Sequence, residues 1–190
     1  MADVDNNGYL LGQLLVAMPS MRDPRFTRSV IFICAHNAEG AMGLVVNRLV
    51  GSLTFPDLLA QLGIPRSEAG RDIRVHFGGP VDVGRGFVLH SPDYHDDGTM
   101  MIGSGVGLTA SLDILRTIAS GGGPKQSLLA LGYAGWGPGQ LDMEIQANGW
   151  LSAPADDALL FDPRLDDKWE RAIGKLGARA EQLSGEAGHA

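Results

Sequence analysis

The side chains with chemistry to offer fall into a few groups. Arg74, His76, Arg85 and His90 lie on strand-like stretches around Gly78 and Gly79. Glycine lets a backbone approach a ligand closely, so these six residues predict a shallow face for a small anion. A structural reading competes with it, in which the arginines pair with surface acids and the histidines are satisfied inside the fold. Trp136, Gln140, Glu144 and Asn148 set polar groups beside an aromatic ring, as in a pocket wall or a partner surface. Here the structural alternative has Trp136 packing a glycine turn, Glu144 accepting from the N–H groups of that turn, and Asn148 ending a helix. If the protein is an enzyme, His76 and Glu144 are the residues able to act as general acid or base.

Three further sets fail on spacing or setting. Cys34 and His36 are two apart on a strand and share a face, but their Cβ atoms lie roughly 7 Å apart. The apolar run around Cys34 raises a thiol pKa, so a buried, inert cysteine is expected. His90, Asp93, His95, Asp96 and Asp97 offer metal-ligand types at spacings that match no zinc or calcium loop, and no metal site is assigned. Gly103-Ser104-Gly105-Val106-Gly107 is neither a dinucleotide nor a Walker loop and reads as a flexible connector, so no cofactor is expected.

The elements that must position these groups begin with an apolar strand from Leu10 to Met18, closed by Pro19. Arg28 to His36 reads as a strand buried on both faces, and Asn37 to Gly40 turns it back through Ala41 to Asn47 as a central antiparallel hairpin. Thr54 with Asp57 three residues later starts a helix that Gly63 stops. Ile73, Val75 and Phe77 alternate with Arg74 and His76 on a half-buried strand, and Gly86 to His90 forms another. Met100 to Gly103 is extended. Thr109 or Ser111 then caps a helix to about Ala119, with Leu112, Leu115 and Ile118 inward.

Leu128 to Leu131 is a strand that leads into the glycines at 132, 135, 137 and 139, read as a sharp turn, and a helix then runs roughly from Gly139 to Asn148. Pro138 suits its first turn and Gly149 the left-handed position beyond its end. A short extended piece reaches Pro154, and a last helix from Asp166 turns Trp169, Ile173 and Leu176 to one side. This mixed order favours a mixed sheet with packed helices over a doubly wound one.

With 190 residues, 44% hydrophobic and 19% charged, the chain supports one well-filled core. The division expected is a flexible N-terminus over residues 1–9, one domain over 10–180 and a disordered tail over 181–190. A formal net charge of -7 opposes the counterion release that drives nucleic-acid binding. A single cysteine fits a reducing cytoplasm, and neither an export signal nor a membrane span is visible.

Several spaced blocks together resemble the YqgE/AlgH family of bacterial proteins. They are Leu14-Leu15-Val16-Ala17-Met18-Pro19 with Asp23-Pro24-Arg25-Phe26, Ser29 to Asn47, Gly78-Gly79-Pro80-Val81, Arg85 to His90, Thr109 to Asp113, and Gly132 to Trp150. The resemblance covers roughly Leu10 to Gly177, and Asp142 stands where the family pattern more often shows Glu. It implies a single α/β domain of α+β type, whose mixed, bifurcated sheet folds towards a partial barrel with helices packed outside. For function it implies little: one branch is described as a transcriptional regulator of alginate synthesis, and most members carry no assigned activity. The expectation is a non-catalytic, cytoplasmic regulatory or accessory protein acting through an unknown protein partner or small anionic ligand. An enzyme acting on a small anionic substrate is the alternative, and a direct DNA binder ranks last.

Overall fold

The computed structural model describes residues 9–103 and 105–177. The expected tail over 181–190, and the expected flexible N-terminus apart from Tyr9, lie outside the described residues. The elements in chain order are β1 (Gln13–Ala17), β2 (Val30–Asn37), β3 (Gly40–Val45), α1 (Phe55–Leu62), β4 (Val75–Phe77), β5 (Val81–His90) and β6 (Thr99–Ile102). After them come β7 (Val106–Thr109), α2 (Leu112–Ala119), β8 (Ser127–Trp136), α3 (Gln140–Gln146), β9 (Trp150–Pro154), α4 (Asp157–Leu160) and α5 (Lys168–Gly174).

The strands form one sheet in the order β6-β7-β5-β8-β3-β2-β1-β9, with β4 attached to β8 off this path. Every pairing is antiparallel except β4 with β8, so the sheet is mixed. It bifurcates on β8. Leu129 to Leu131 pair with β4 on one side and β5 on the other, whereas Ala134 to Trp136 pair with β3.

The strands alternate between two apolar faces, and the clusters on those faces show how the sheet curls. Leu14, Val16, Phe32, Cys34 and Leu44 meet Phe87, Leu89, Leu108 and Leu128 from the far half in one cluster, which is the inside of a half barrel. Leu159, Leu160, Trp169 and Ile173 of α4 and α5 cover its open side. On the outer face the two halves keep separate cores. Helices α1 and α2 pack over Val75, Val88 and Leu129, and α3 packs through Leu141 over Ile31, Ile33 and Trp150. Burying a side chain of this size contributes roughly 1.5–3 kcal/mol.

Local signals explain the helix ends. The Thr54 hydroxyl accepts from Asp57 N at 3.2 Å while Asp57 Oδ2 accepts from Thr54 N at 3.3 Å, and Gly63 closes α1 with φ 67°. The hairpin of β2 and β3 forms as expected, with Val30 to Cys34 buried on both faces.

Other expectations change. The glycines from 132 to 135 are not a turn but the second half of β8, since Gly132 at φ 74° lets β8 pass close to the backbone of Gly79 and Val81. Gly107 belongs to the buried strand β7 rather than to a flexible link. In α2 it is Ile114, Leu115 and Ile118 that point inward, and Leu112 is exposed; Leu176, expected to pack, is also exposed. Helix α3 spans Gln140–Gln146, and the left-handed residue that ends it is Asn148 at φ 61°, not Gly149.

Candidate functional site

Where β8 leaves the sheet, Trp136 opens the turn Gly137-Pro138-Gly139, and Gly139 at φ 71° feeds α3. The turn is held by Gln140, whose Oε1 accepts from Gly137 N at 2.9 Å, so Gln140 takes the role expected of Glu144. Glu144, one helical turn further on, collects three other N–H groups. Its Oε1 accepts from Trp136 Nε1 at 3.3 Å and Trp150 Nε1 at 3.0 Å, and its Oε2 accepts from Gln140 Nε2 at 2.9 Å. Oxygens that only accept fit the ionised carboxylate. The two indoles meet edge to face at 6.0 Å, and Phe26 meets Trp150 in the same manner at 5.7 Å.

These side chains wall a cleft of about 410 Å³ between α3 and the loop of Met21 to Phe26, with Pro80 and Val81 at its edge. Across it Arg25 donates through Nε and Nη2 to both oxygens of Asp23, and this bond holds the Asp23 carboxyl below its ordinary pKa. Trp136, Gln140 and Glu144 therefore come together as expected. Asn148 does not join them: it is exposed at the helix end and lies outside the cleft. The Asp23-Arg25-Phe26 wall was not assigned to this group from sequence. It comes from a loop more than a hundred residues earlier, held there by the packing of Phe26 on Trp150 and by Arg48, which donates to the carbonyls of Pro24, Arg25 and Thr27.

Arg74, His76, Arg85 and His90 do not form one face. Arg74 donates through Nη1 to Pro163 O, and Arg85 lies over the Phe87 ring at 5.1 Å beside a different cavity, lined by α1 and α2. His90 is fully buried between Ser91 O at 2.8 Å and Thr109 Oγ1 at 2.7 Å, which makes it a packed structural histidine. His76 is 7% exposed, and its Nδ1 bonds to Leu129 O at 3.0 Å. Desolvation lowers its pKa to about 4, so it is neutral near pH 7 and far from the poise of a general base. It edges a second cleft of about 200 Å³, with Arg74, Ser127 and Asp162. Gly78 and Gly79 make room for protein rather than ligand. A Cβ on Gly78 would stand 2.3 Å from Gly132 O, and one on Gly79 would stand 2.0 Å from the Tyr133 carbonyl carbon.

Cys34 and His36 are separated by a bulge between Ile33 and Ala35. Burial pushes the Cys34 thiol up to about 12, while His36 Nδ1 accepts from Leu10 N at 2.9 Å and Nε2 faces Asp142 at 3.6 Å. Among the described residues no group of three His, Cys, Asp or Glu side chains is placed to share a metal ion. Asp96 instead accepts from Tyr94, Ser111 and Gly98, which ties its loop to the start of α2. Lys168, a residue no sequence signal singled out, is fully buried and donates to Val46 O and Leu160 O. Desolvation lowers its pKa to about 8.

The family model described as AlgH-like matches residues 14–181, most of the chain and the whole of this cleft. The chain belongs to the AlgH-like family. A UPF0301 protein of Rhodospirillum rubrum is 54% identical over 185 residues, covering 97% of this AlgH-like chain and 96% of the relative. Another, from Bradyrhizobium diazoefficiens, is 56% identical over 191 residues, covering 96% and 89%. The solution structure of the AlgH protein from Pseudomonas aeruginosa superposes with a TM-score of 0.79 at 41% identity, covering 97% of both chains. A crystal structure from Corynebacterium diphtheriae, at 22% identity and TM-score 0.74 over 92% of this chain and 91% of that one, shares the fold. Among the described residues of this AlgH-like protein, no helix is long and apolar enough to cross a membrane.

Proposed function

We propose that this AlgH-like chain is a non-catalytic regulatory or accessory protein of the cytoplasm, acting through a contact made at the cleft between α3 and the Met21–Phe26 loop. The observation that carries the reading is the engagement of Glu144. A general base needs room to move with the proton it takes, whereas this carboxylate is held in place by three N–H donors, two of them from buried indoles. His76, the other acid–base candidate, is desolvated and bonded to a backbone carbonyl. What the cleft does offer is aromatic and polar surface of a volume suited to a small ligand or one side chain of a partner.

The net charge of -7 opposes direct contact with DNA, so a regulatory role of the kind the family resemblance implies would act through another protein or a metabolite. Amide-resolved NMR titration against nucleotides, phosphorylated metabolites, carboxylates and amines tests this, with saturable shifts expected around Trp136 to Glu144. Turnover of any of these compounds that Glu144→Gln or His76→Ala abolishes, with folding intact, overturns it.

A further inference from the structure

Resting on the cleft as the contact site, the charge and lone-pair count within it select a ligand class. Asp23 and Arg25 neutralise each other across their paired contacts. Glu144 has no such partner: its three bonds come from neutral N–H groups, and it takes part in none of the ion pairs among the described residues. The cleft therefore carries one uncompensated negative charge, held rigidly beside aromatic rings. That charge agrees in sign with the whole chain.

We propose that the cleft binds an alkylammonium group, either the side chain of a lysine on a partner or a free primary amine. A carboxylate oxygen accepts about two hydrogen bonds. Both places on Glu144 Oε1 are taken by the two indoles, and one place on Oε2 is taken by Gln140, which leaves a single position on Oε2. One free position suits a compact ammonium, which needs one strong acceptor and completes its shell with water. A guanidinium paired side by side with a carboxylate needs both oxygens. Trp136 and Phe26, both lining the cleft, supply aromatic surface for the cation and for its alkyl stem.

The experiment is an amide- and indole-resolved NMR titration of the full chain with four probes: n-butylammonium, n-butanol, butyrate and N-acetyl-lysine N-methylamide. The blocked arginine analogue serves as a fifth. Saturable shifts with butylammonium at Trp136, Gln140 and Glu144 and at the indole N–H groups of Trp136 and Trp150 are expected, with none there from butanol or butyrate. Glu144→Gln should weaken the amine by about tenfold, the difference between a charged and a neutral acceptor. Should that variant not fold, the comparison of butylammonium with butanol on the natural chain decides alone. Tighter binding of blocked lysine than of butylammonium assigns the ammonium to a protein partner, and the reverse assigns it to a free amine. Equal shifts from butanol, stronger binding of the blocked arginine, or no saturation with butylammonium overturns the proposal. Binding of butyrate in the cleft also overturns it but leaves the contact reading standing, whereas catalytic turnover fails that reading by itself.

Discussion

The indole N–H of Trp150, on the edge strand β9, donates across 3.0 Å to Glu144 Oε1, and Trp136 at the end of β8 donates to the same oxygen. One carboxylate thus pins two strands that are not neighbours in the sheet. Glu144→Ala strands two indole N–H groups on side chains that are 2% and 7% exposed, and is expected to cost about 2–4 kcal/mol. Glu144→Gln keeps an acceptor for both indoles and is expected to cost about 1 kcal/mol or less. Urea unfolding followed by tryptophan fluorescence separates the two.

His76 titrates at about 4 in the folded protein against 6.5 in the unfolded chain. Between those values the unfolded chain holds the extra proton, so stability present above pH 6.5 is lost as pH falls towards 4, by about 3 kcal/mol in total. His76→Gln should flatten that part of the stability profile relative to the natural chain. Denaturant midpoints measured from pH 7 to pH 4 on both proteins check it, and parallel curves would contradict it.

Lys168 acts with the same sign in a higher pH window. Its folded-state pKa of about 8 lies below the unfolded 10.5, so the folded form loses its proton first and stability rises as pH climbs between those values. Replacing it by methionine removes a desolvated charge and two hydrogen bonds to Val46 O and Leu160 O. The expected outcome is loss of the alkaline rise in the melting temperature, measured against the natural chain in matched buffers.

Gly79→Ala drives a Cβ into the Tyr133 backbone and is expected to destabilise by about 3 kcal/mol or more. Gly84→Ala, where a Cβ meets nothing within 4 Å, is expected to stay within about 0.5 kcal/mol of the natural chain. Comparable losses in both would show that the close approach of Gly79 to β8 does not govern the effect.

How far each of these features could be read from sequence depended on the range of the contacts that make it. Helix α1 was legible because its signals are local: Thr54, Asp57 and Gly63 act within one turn of each other. The β2–β3 hairpin was legible because an unbroken apolar run reverses at a four-residue turn. Gly132 misled because a glycine required by a close strand crossing looks, in sequence, like a glycine required by a turn. The fragments of the cleft on α3 were legible for the same local reason as α1. Its other wall was not, since Asp23, Arg25 and Phe26 meet Trp150 and Gln140 only after the sheet has curled. The four residues of the expected anion face are dispersed because alternation places a side chain on a face without saying what covers it: His90 is fully buried, His76 and Arg74 edge one cleft, and Arg85 lies beside another.

Strand β8 is hydrogen-bonded to β4 and β5 along its first half and to β3 along its second. Both halves of the sheet draw backbone partners from this one continuous strand, which couples the opening of one half to the other. The slowest-exchanging amides of the domain should include those of Ala130 on one side of the bifurcation and Ala134 on the other, exchanging with one common opening free energy. A ligand seated at the Trp136 end would then protect amides at the Ser127 end by the same increment, without touching them.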